Sequence, residues 1–158
     1  MRLVLFEPDI PQNTGAMLRL AACFGLGVDI VFPCGFIFDE PRMRRAGMDY
    51  LDSVEIAKHA SWAGYCESRA AAAPNGTKGG RLLLLSTKAA MPYLDFAFAP
   101  DDSLLLGRES SGVPPEVRDA ADASLTIPMR TGMRSLNVAM AAAIVAAEAL
   151  RQVGFPGR

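Results

Sequence analysis

The chain has little of what metal- and thiol-based chemistries require. Its three cysteines, Cys23, Cys34 and Cys66, are scattered and form no C-x-x-C pair, and its only histidine is His59. An odd and dispersed cysteine set excludes a disulfide framework and a zinc cage, and it fits a reducing, cytoplasmic compartment. With one histidine and no clustered carboxylates, no catalytic metal is expected. Neither sign of charge dominates, since 16 Lys+Arg face 17 Asp+Glu for a net charge of -1. That balance argues against a whole-protein grip on nucleic acid, yet leaves room for a local basic patch or a surface composed by two subunits. Long apolar runs are missing too. The longest, Val138–Ala147, falls well short of the about 20 residues that cross a bilayer, so no membrane association is expected. The opening run ends at Glu7 and Pro8 and resembles neither a signal nor a transit peptide. Gly25-Leu26-Gly27 follows a helical stretch and lacks the third glycine of a dinucleotide fingerprint, and no Walker A pattern occurs.

What the chain does contain is apolar and periodic. At 158 residues and 51% hydrophobic, it is long enough to bury a core without staples, and residues 1–158 read as one domain. Short apolar runs at Leu3–Phe6, Val28–Phe32, Leu82–Leu85, Leu104–Leu106 and Leu125–Ile127 read as buried strands. Helical patterns separate them at Thr14–Phe24, Trp62–Ala73, Pro114–Ala121 and Leu136–Val153. Strand and helix in alternation predict an α/β fold with a mostly parallel sheet flanked by helices.

In such sheets ligands bind beyond the carboxyl ends of the strands. Three of those ends carry small, polar segments: Ser86-Thr87-Lys88, Gly107-Arg108-Glu109-Ser110-Ser111-Gly112 and Pro128-Met129-Arg130-Thr131-Gly132. Arg19 interrupts a helix that is otherwise apolar on nearly every side, so it either snorkels to water or faces a cleft offering an anion or carbonyls. Asn13 or Thr14 is placed to cap that helix; alternatively the Asn13 amide faces the same crevice as Arg19. Glu109 is either a ligand contact or an arginine partner. Ser135 is the default N-cap of the last helix, with Asn137 in its first turn. A Ser-His-Asp site would need His59, and Glu109-Ser110-Ser111-Gly112 lacks the G-x-S-x-G spacing, so His59 reads as a surface or packing residue.

Between Leu136 and Leu150 only Asn137 and Glu148 are polar, so the last helix cannot hide every face against its own sheet. Small residues at Ala139, Ala142, Ala143, Ala146 and Ala147 would let it pack against a second copy in a homodimer. Arg42, Arg44 and Arg45 form the one basic cluster, either a solvated helix face or phosphate contacts for RNA.

Three motifs in order then resemble the knotted SPOUT-class RNA 2'-O-ribose methyltransferases. They are Asn13-Thr14-Gly15 with Arg19 and Gly25, Leu106–Pro114 around Glu109, and Ile127-Pro128-Met129 followed by Ser135-Leu136-Asn137-Val138-Ala139. Glu7-Pro8-x-Ile10-Pro11, Gly35-Phe36-x-x-Asp39, Arg44-Arg45-Ala46-Gly47-x-Asp49-Tyr50 and Gly154-Phe155-Pro156-Gly157 look closest to the compact tRNA (cytidine/uridine-2'-O-)methyltransferases that act on the wobble nucleotide, position 34, in the anticodon. The resemblance covers nearly the whole chain. It implies a C-terminal trefoil knot that topology rules alone would not suggest. It implies an S-adenosylmethionine pocket against Leu85, Gly107, Ile127, Met129, Ser135 and Leu136. It nominates Arg19, Asn13, Glu109, Ser135 and Asn137 for catalysis, with Arg42, Arg44 and Arg45 on tRNA. Arginine is a poor base, with a pKa above about 12, so Arg19 is expected to orient the hydroxyl and an adjacent phosphate. Rival readings are a non-catalytic RNA- or nucleotide-binding dimer of the same fold and a small serine hydrolase built on Ser110 or Ser111.

Overall fold

A computed structural model describes residues 1–41, 49–72 and 80–156. Their order is β1 (Arg2–Phe6), α1 (Pro11–Phe24), β2 (Gly27–Val31), β3 (Ile56–His59), α2 (Trp62–Ala71), β4 (Leu82–Leu85), β5 (Met91–Pro92), β6 (Ser103–Leu106), α3 (Pro115–Asp119), β7 (Ala123–Thr126) and α4 (Val138–Val153). The strands form one seven-stranded sheet in the order β3-β2-β1-β6-β4-β7-β5, and each pairing within it is parallel. The expected parallel α/β architecture is present.

Both faces of the sheet are covered, which is why its central strands read as unbroken apolar runs. Alternate residues go to opposite sides. Leu3, Leu5, Val28, Ile30, Leu104 and Leu106 face a core closed by Met17, Leu18 and Ala21 of α1 and by Ala142, Val145, Ala146 and Ala149 of α4. Val4, Phe6, Val31, Leu82, Leu84 and Leu105 face a second core with Tyr65 of α2 and Val117 of α3.

Two strands escape the sequence reading. β3 carries Lys58 and His59 in place of an apolar run, and β5 is only Met91–Pro92. His59 is buried, and its Nε2 lies 2.7 Å from Asp29 Oδ1, while Asp29 Oδ2 accepts from Arg2 Nε at 2.6 Å. The packing role expected for His59 is therefore the one observed. Two helix starts also differ. α1 begins at Pro11, with Ile10 at the N-cap and no side-chain cap, so neither Asn13 nor Thr14 serves as one. Proline at the first helical position needs no N–H partner and presets the backbone angle. α4 begins at Val138, and its cap is Asn137 rather than Ser135.

β1 and β2 advance in one direction along the sheet, while β6 and β4 lie on the other side of β1. The chain order therefore switches at β1, where the carboxyl ends of β1 and β6 leave a crevice. Among the described residues no helix is long and apolar enough to cross a membrane.

Candidate active site

At that crevice two turns are stitched together. β1 exits through Glu7, whose φ of 43° lies in the left-handed region and is strained for a residue with a side chain. Glu7 N–H donates to Val31 O at 2.9 Å, and its Oε2 accepts from Arg108 Nη1 at 3.0 Å. Next along the chain, Asp9 N–H donates to Glu109 Oε2 at 3.1 Å, and Glu109 N–H donates back to Asp9 Oδ1 at 3.1 Å. The Ser110 hydroxyl donates to Asp9 Oδ2. A side-chain hydrogen bond with Glu109, then the Ser110 hydroxyl and the N–H groups of Glu109 and Ser110, hold the Asp9 carboxyl at about 2 against the opposing effect of burial.

The loop after β6 closes on itself. Arg108 and Gly112 exchange backbone hydrogen bonds of 3.0 and 2.8 Å. A Cβ on Gly107 would lie 2.7 Å from the Gly112 carbonyl carbon and 2.9 Å from Val113 Cγ1, so only glycine fits there.

From this stitched pair a line of polar contacts runs to the last helix. Asn13 Nδ2 donates to Glu109 Oε1 at 3.0 Å, and Asn137 Nδ2 donates to Asn13 Oδ1 at 2.8 Å. Asn137 Oδ1 in turn accepts from the N–H groups of Ala139 at 2.9 Å and Met140 at 3.3 Å. Asn13, Glu109 and Asn137, nominated by the resemblance from three separate motifs, thus meet in a line with Asn13 at its centre. Asn137 is both the cap of α4, where the sequence reading put it in the first turn, and the contact of Asn13.

Arg19 is exposed on α1. Its guanidinium carbon stands 4.5 Å from the centroid of the Tyr50 ring, and its Nη2 donates to the Tyr50 hydroxyl. In the single chain it is exposed, with its planar group stacked on an aromatic ring. Ser135 is exposed two residues before the cap. Arg42, Arg44 and Arg45 lie outside the described residues.

The residues expected around the cofactor lie where β4, β6 and β7 end. Leu85, Gly107, Ile127 and Met129 are half-buried there, and Leu136 is exposed on the approach to α4. These side chains are apolar or absent, which fits an adenine held by packing and main-chain hydrogen bonds. Met133 and Met140, 63% and 59% exposed, add apolar surface beside the same segment. A cleft of about 360 Å³, lined by Phe6, Glu7, Trp62, Arg108, Val113 and Pro114, adjoins the two stitched turns on the α2 face of the sheet.

Among the described residues no group of His, Cys, Asp and Glu could hold a metal ion. Ser110 is bonded to Asp9, and His59 to Asp29, so these two residues form no Ser-His couple. Asp9, Glu7, Arg108 and Tyr50 were given no role by the sequence reading. A signal for the first three did exist: Glu7 and Asp9 alternate on the strand exit, and Arg108 is the cation next to Glu109.

Comparison with known proteins adds a family. The model of the SpoU rRNA Methylase family matches residues 1–147. A tRNA (cytidine(34)-2'-O)-methyltransferase of Beijerinckia indica subsp. indica is 56% identical over 152 residues, spanning 96% of this chain and 91% of its own length. A solved structure concerned with 2-OH methylation of C/U34 on tRNA superposes with a TM-score of 0.82 at 38% identity, covering 96% of this chain and 89% of that one. The SpoU methyltransferase AviRb from Streptomyces viridochromogenes, solved in complex with the cofactor AdoMet, gives a TM-score of 0.82 at 27% identity. There the match spans 96% of this chain and 60% of the other.

Proposed function

The chain belongs to the SpoU rRNA Methylase family, and from that premise we propose that it methylates the ribose 2'-hydroxyl of the wobble nucleotide, cytidine or uridine 34, of tRNA. Its donor is S-adenosylmethionine. The C-terminal half carries the trefoil knot of this family, in the stretch where β6, β4 and β7 lie side by side and α4 packs back against α1 and β6. The observation that carries the reading is the joining of Asn13, Glu109 and Asn137, from three remote segments, beside the apolar strand ends.

The cofactor supplies a methyl group already activated on a sulfonium, so no metal is required. Leu85, Gly107, Ile127, Met129, Ser135 and Leu136 would hold it, mainly through backbone groups. The remaining work is to place the ribose hydroxyl and assist loss of its proton, and positioning dominates such a task. Arg19 presents a permanent cation that orients the hydroxyl and the neighbouring phosphate. Asn13, Glu109, Ser135 and Asn137 shape the surface that receives the ribose.

The same reading makes the chain a homodimer. Met133, Leu136, Met140 and Ile10 are exposed around the start of α4 and α1, and a second copy would cover them. That copy would bring Arg19 and the Arg42, Arg44 and Arg45 cluster of one chain beside the cofactor pocket of the other. Positive charge then gathers in one groove although the net charge of a chain is -1. Binding of tRNA is therefore sensitive to salt, and the site of action is the cytoplasm.

The test is to incubate purified protein with labelled S-adenosylmethionine and either unfractionated tRNA or rRNA, and to map the labelled ribose. Label on nucleotide 34 of tRNA, abolished by Arg19→Ala, is the expected result. Label on rRNA alone, or full transfer by Arg19→Ala, overturns the reading.

A further inference from the structure

The structure assigns to Asp9 the task of positioning Glu109 and, through it, the Asn13–Asn137 contact; this rests on the reading of those three residues as the reaction site. Asp9 is outside every catalytic and cofactor motif of the sequence, yet its side chain is where the β1 exit meets the β6 loop.

Glu109 stands on a loop bracketed by Gly107 and Gly112, which does not by itself confine a long side chain. Asp9 grips it at both ends. The Asp9 N–H holds Glu109 Oε2 at 3.1 Å, and the Asp9 carboxylate takes the Glu109 N–H at 3.1 Å and the Ser110 hydroxyl. With one carboxylate oxygen so held, the other is left facing Asn13 Nδ2 at 3.0 Å. Asn13 presents its amide N–H to that oxygen, which fixes the end of the amide that turns towards Glu109. The Asn13 oxygen must then take the Asn137 Nδ2 at 2.8 Å, which leaves the Asn137 oxygen for the helix cap. One orientation is passed along the line, and it starts at Asp9.

Asp9 is itself fixed from behind. A Cβ on Gly35 would sit 2.7 Å from Asp9 Cβ and 2.8 Å from its Cα, and Gly35 N–H donates to Pro8 O at 2.9 Å. Arg108 offsets the neighbouring carboxylates, with Nη1 at 3.0 Å from Glu7 Oε2 and Nε at 4.0 Å from Asp9 Oδ2.

The experiment compares kcat, KM for S-adenosylmethionine and KM for tRNA in Asp9→Ala, Asp9→Asn, Gly35→Ala, Glu109→Gln and the Asp9→Ala/Glu109→Gln double variant. Thermal unfolding and cofactor binding serve as folding controls. Misplacing a reacting geometry by about an ångström costs up to about a hundredfold. Asp9→Ala keeps the main-chain N–H on Glu109 Oε2 but releases the Glu109 N–H and the Ser110 hydroxyl, so the loop that carries Glu109 shifts, and kcat is expected to fall towards that scale with KM for S-adenosylmethionine unchanged. Asp9→Asn, which keeps an acceptor for the Glu109 N–H, recovers part of it. Gly35→Ala retains the Asp9 carboxylate but displaces it by pressing on Asp9 Cβ and Cα, and it reproduces the kcat loss. In the Glu109→Gln background, Asp9→Ala adds no further loss, because both act through one group. Wild-type kcat in a folded Asp9→Ala, or losses that multiply in the double variant, overturns the assignment while leaving the reaction site standing. Wild-type turnover in Glu109→Gln overturns both.

Discussion

Replacing Asn137 by alanine and by aspartate separates the two tasks of its side chain. Its Oδ1 caps α4 through the N–H groups of Ala139 and Met140 at 2.9 and 3.3 Å, and its Nδ2 donates to Asn13 at 2.8 Å. Alanine removes both. Loss of an N-cap costs about 1 kcal/mol, and an exposed side-chain hydrogen bond adds about 0.5 kcal/mol. The sum of about 1.5 kcal/mol lowers the Tm of a domain this size by about 3–6 °C. Aspartate keeps the capping oxygen, and its charge at the helix N-terminus contributes about 0.3–1 kcal/mol, so stability stays near that of the parent. It cannot donate to Asn13, however, and sets a carboxylate against the Asn13 oxygen. Thermal and urea unfolding, run beside methyl transfer to tRNA, should find Asn137→Ala unstable and inactive, and Asn137→Asp stable and inactive. An aspartate variant as unstable as the alanine one refutes the capping argument. Full activity in it refutes the place of the Asn13 contact in the site.

Gly107→Ala forces a Cβ to within 2.7 Å of the Gly112 backbone; overpacking of about 1–3 kcal/mol opens the loop, and calorimetry should show weakened S-adenosylmethionine binding, whereas unchanged affinity counts against a cofactor role for the loop. Burial, aided by the charge of Glu7, pushes the Cys34 thiol up to about 11, while Cys23 is exposed. Since the thiolate is the reactive form, iodoacetamide at pH 8 labels Cys23 well before Cys34 in peptide mass spectra; equal rates contradict the burial of Cys34. The Asp9 carboxyl, lowered from 3.8 to about 2, contributes stability that is present above 3.8 and lost as pH falls through about 2. An NMR titration should therefore find it still ionised at pH 3, and a midpoint near the ordinary value would show that the stitch to Glu109 and Ser110 is absent in solution.

Much of the sheet was readable because strands buried on both faces leave continuous apolar runs, as at Leu3–Phe6 and Leu104–Leu106. β3 was not, since Lys58 and His59 occupy an edge strand where Lys58 pairs with Glu40 and His59 with Asp29. The start of α1 could have been read from Pro11, a local signal that outweighed the polar residues after it. The start of α4 could not. Serine and asparagine both cap helices, and the choice of Asn137 over Ser135 goes with its bond to Asn13, 124 residues away.

The sequence by itself determined the alternation of strand and helix and the small polar loops at the strand ends, because each is a local property of composition and spacing, and its motifs nominated Asn13, Glu109 and Asn137 through their resemblance to a known family. Only the tertiary structure decided that these three touch, that Asp9 holds the first link, and that Arg19 lies on Tyr50. Such contacts join segments from distant parts of the chain, and the orientation of a side-chain amide or carboxylate is set by the partner it meets rather than by its neighbours in sequence.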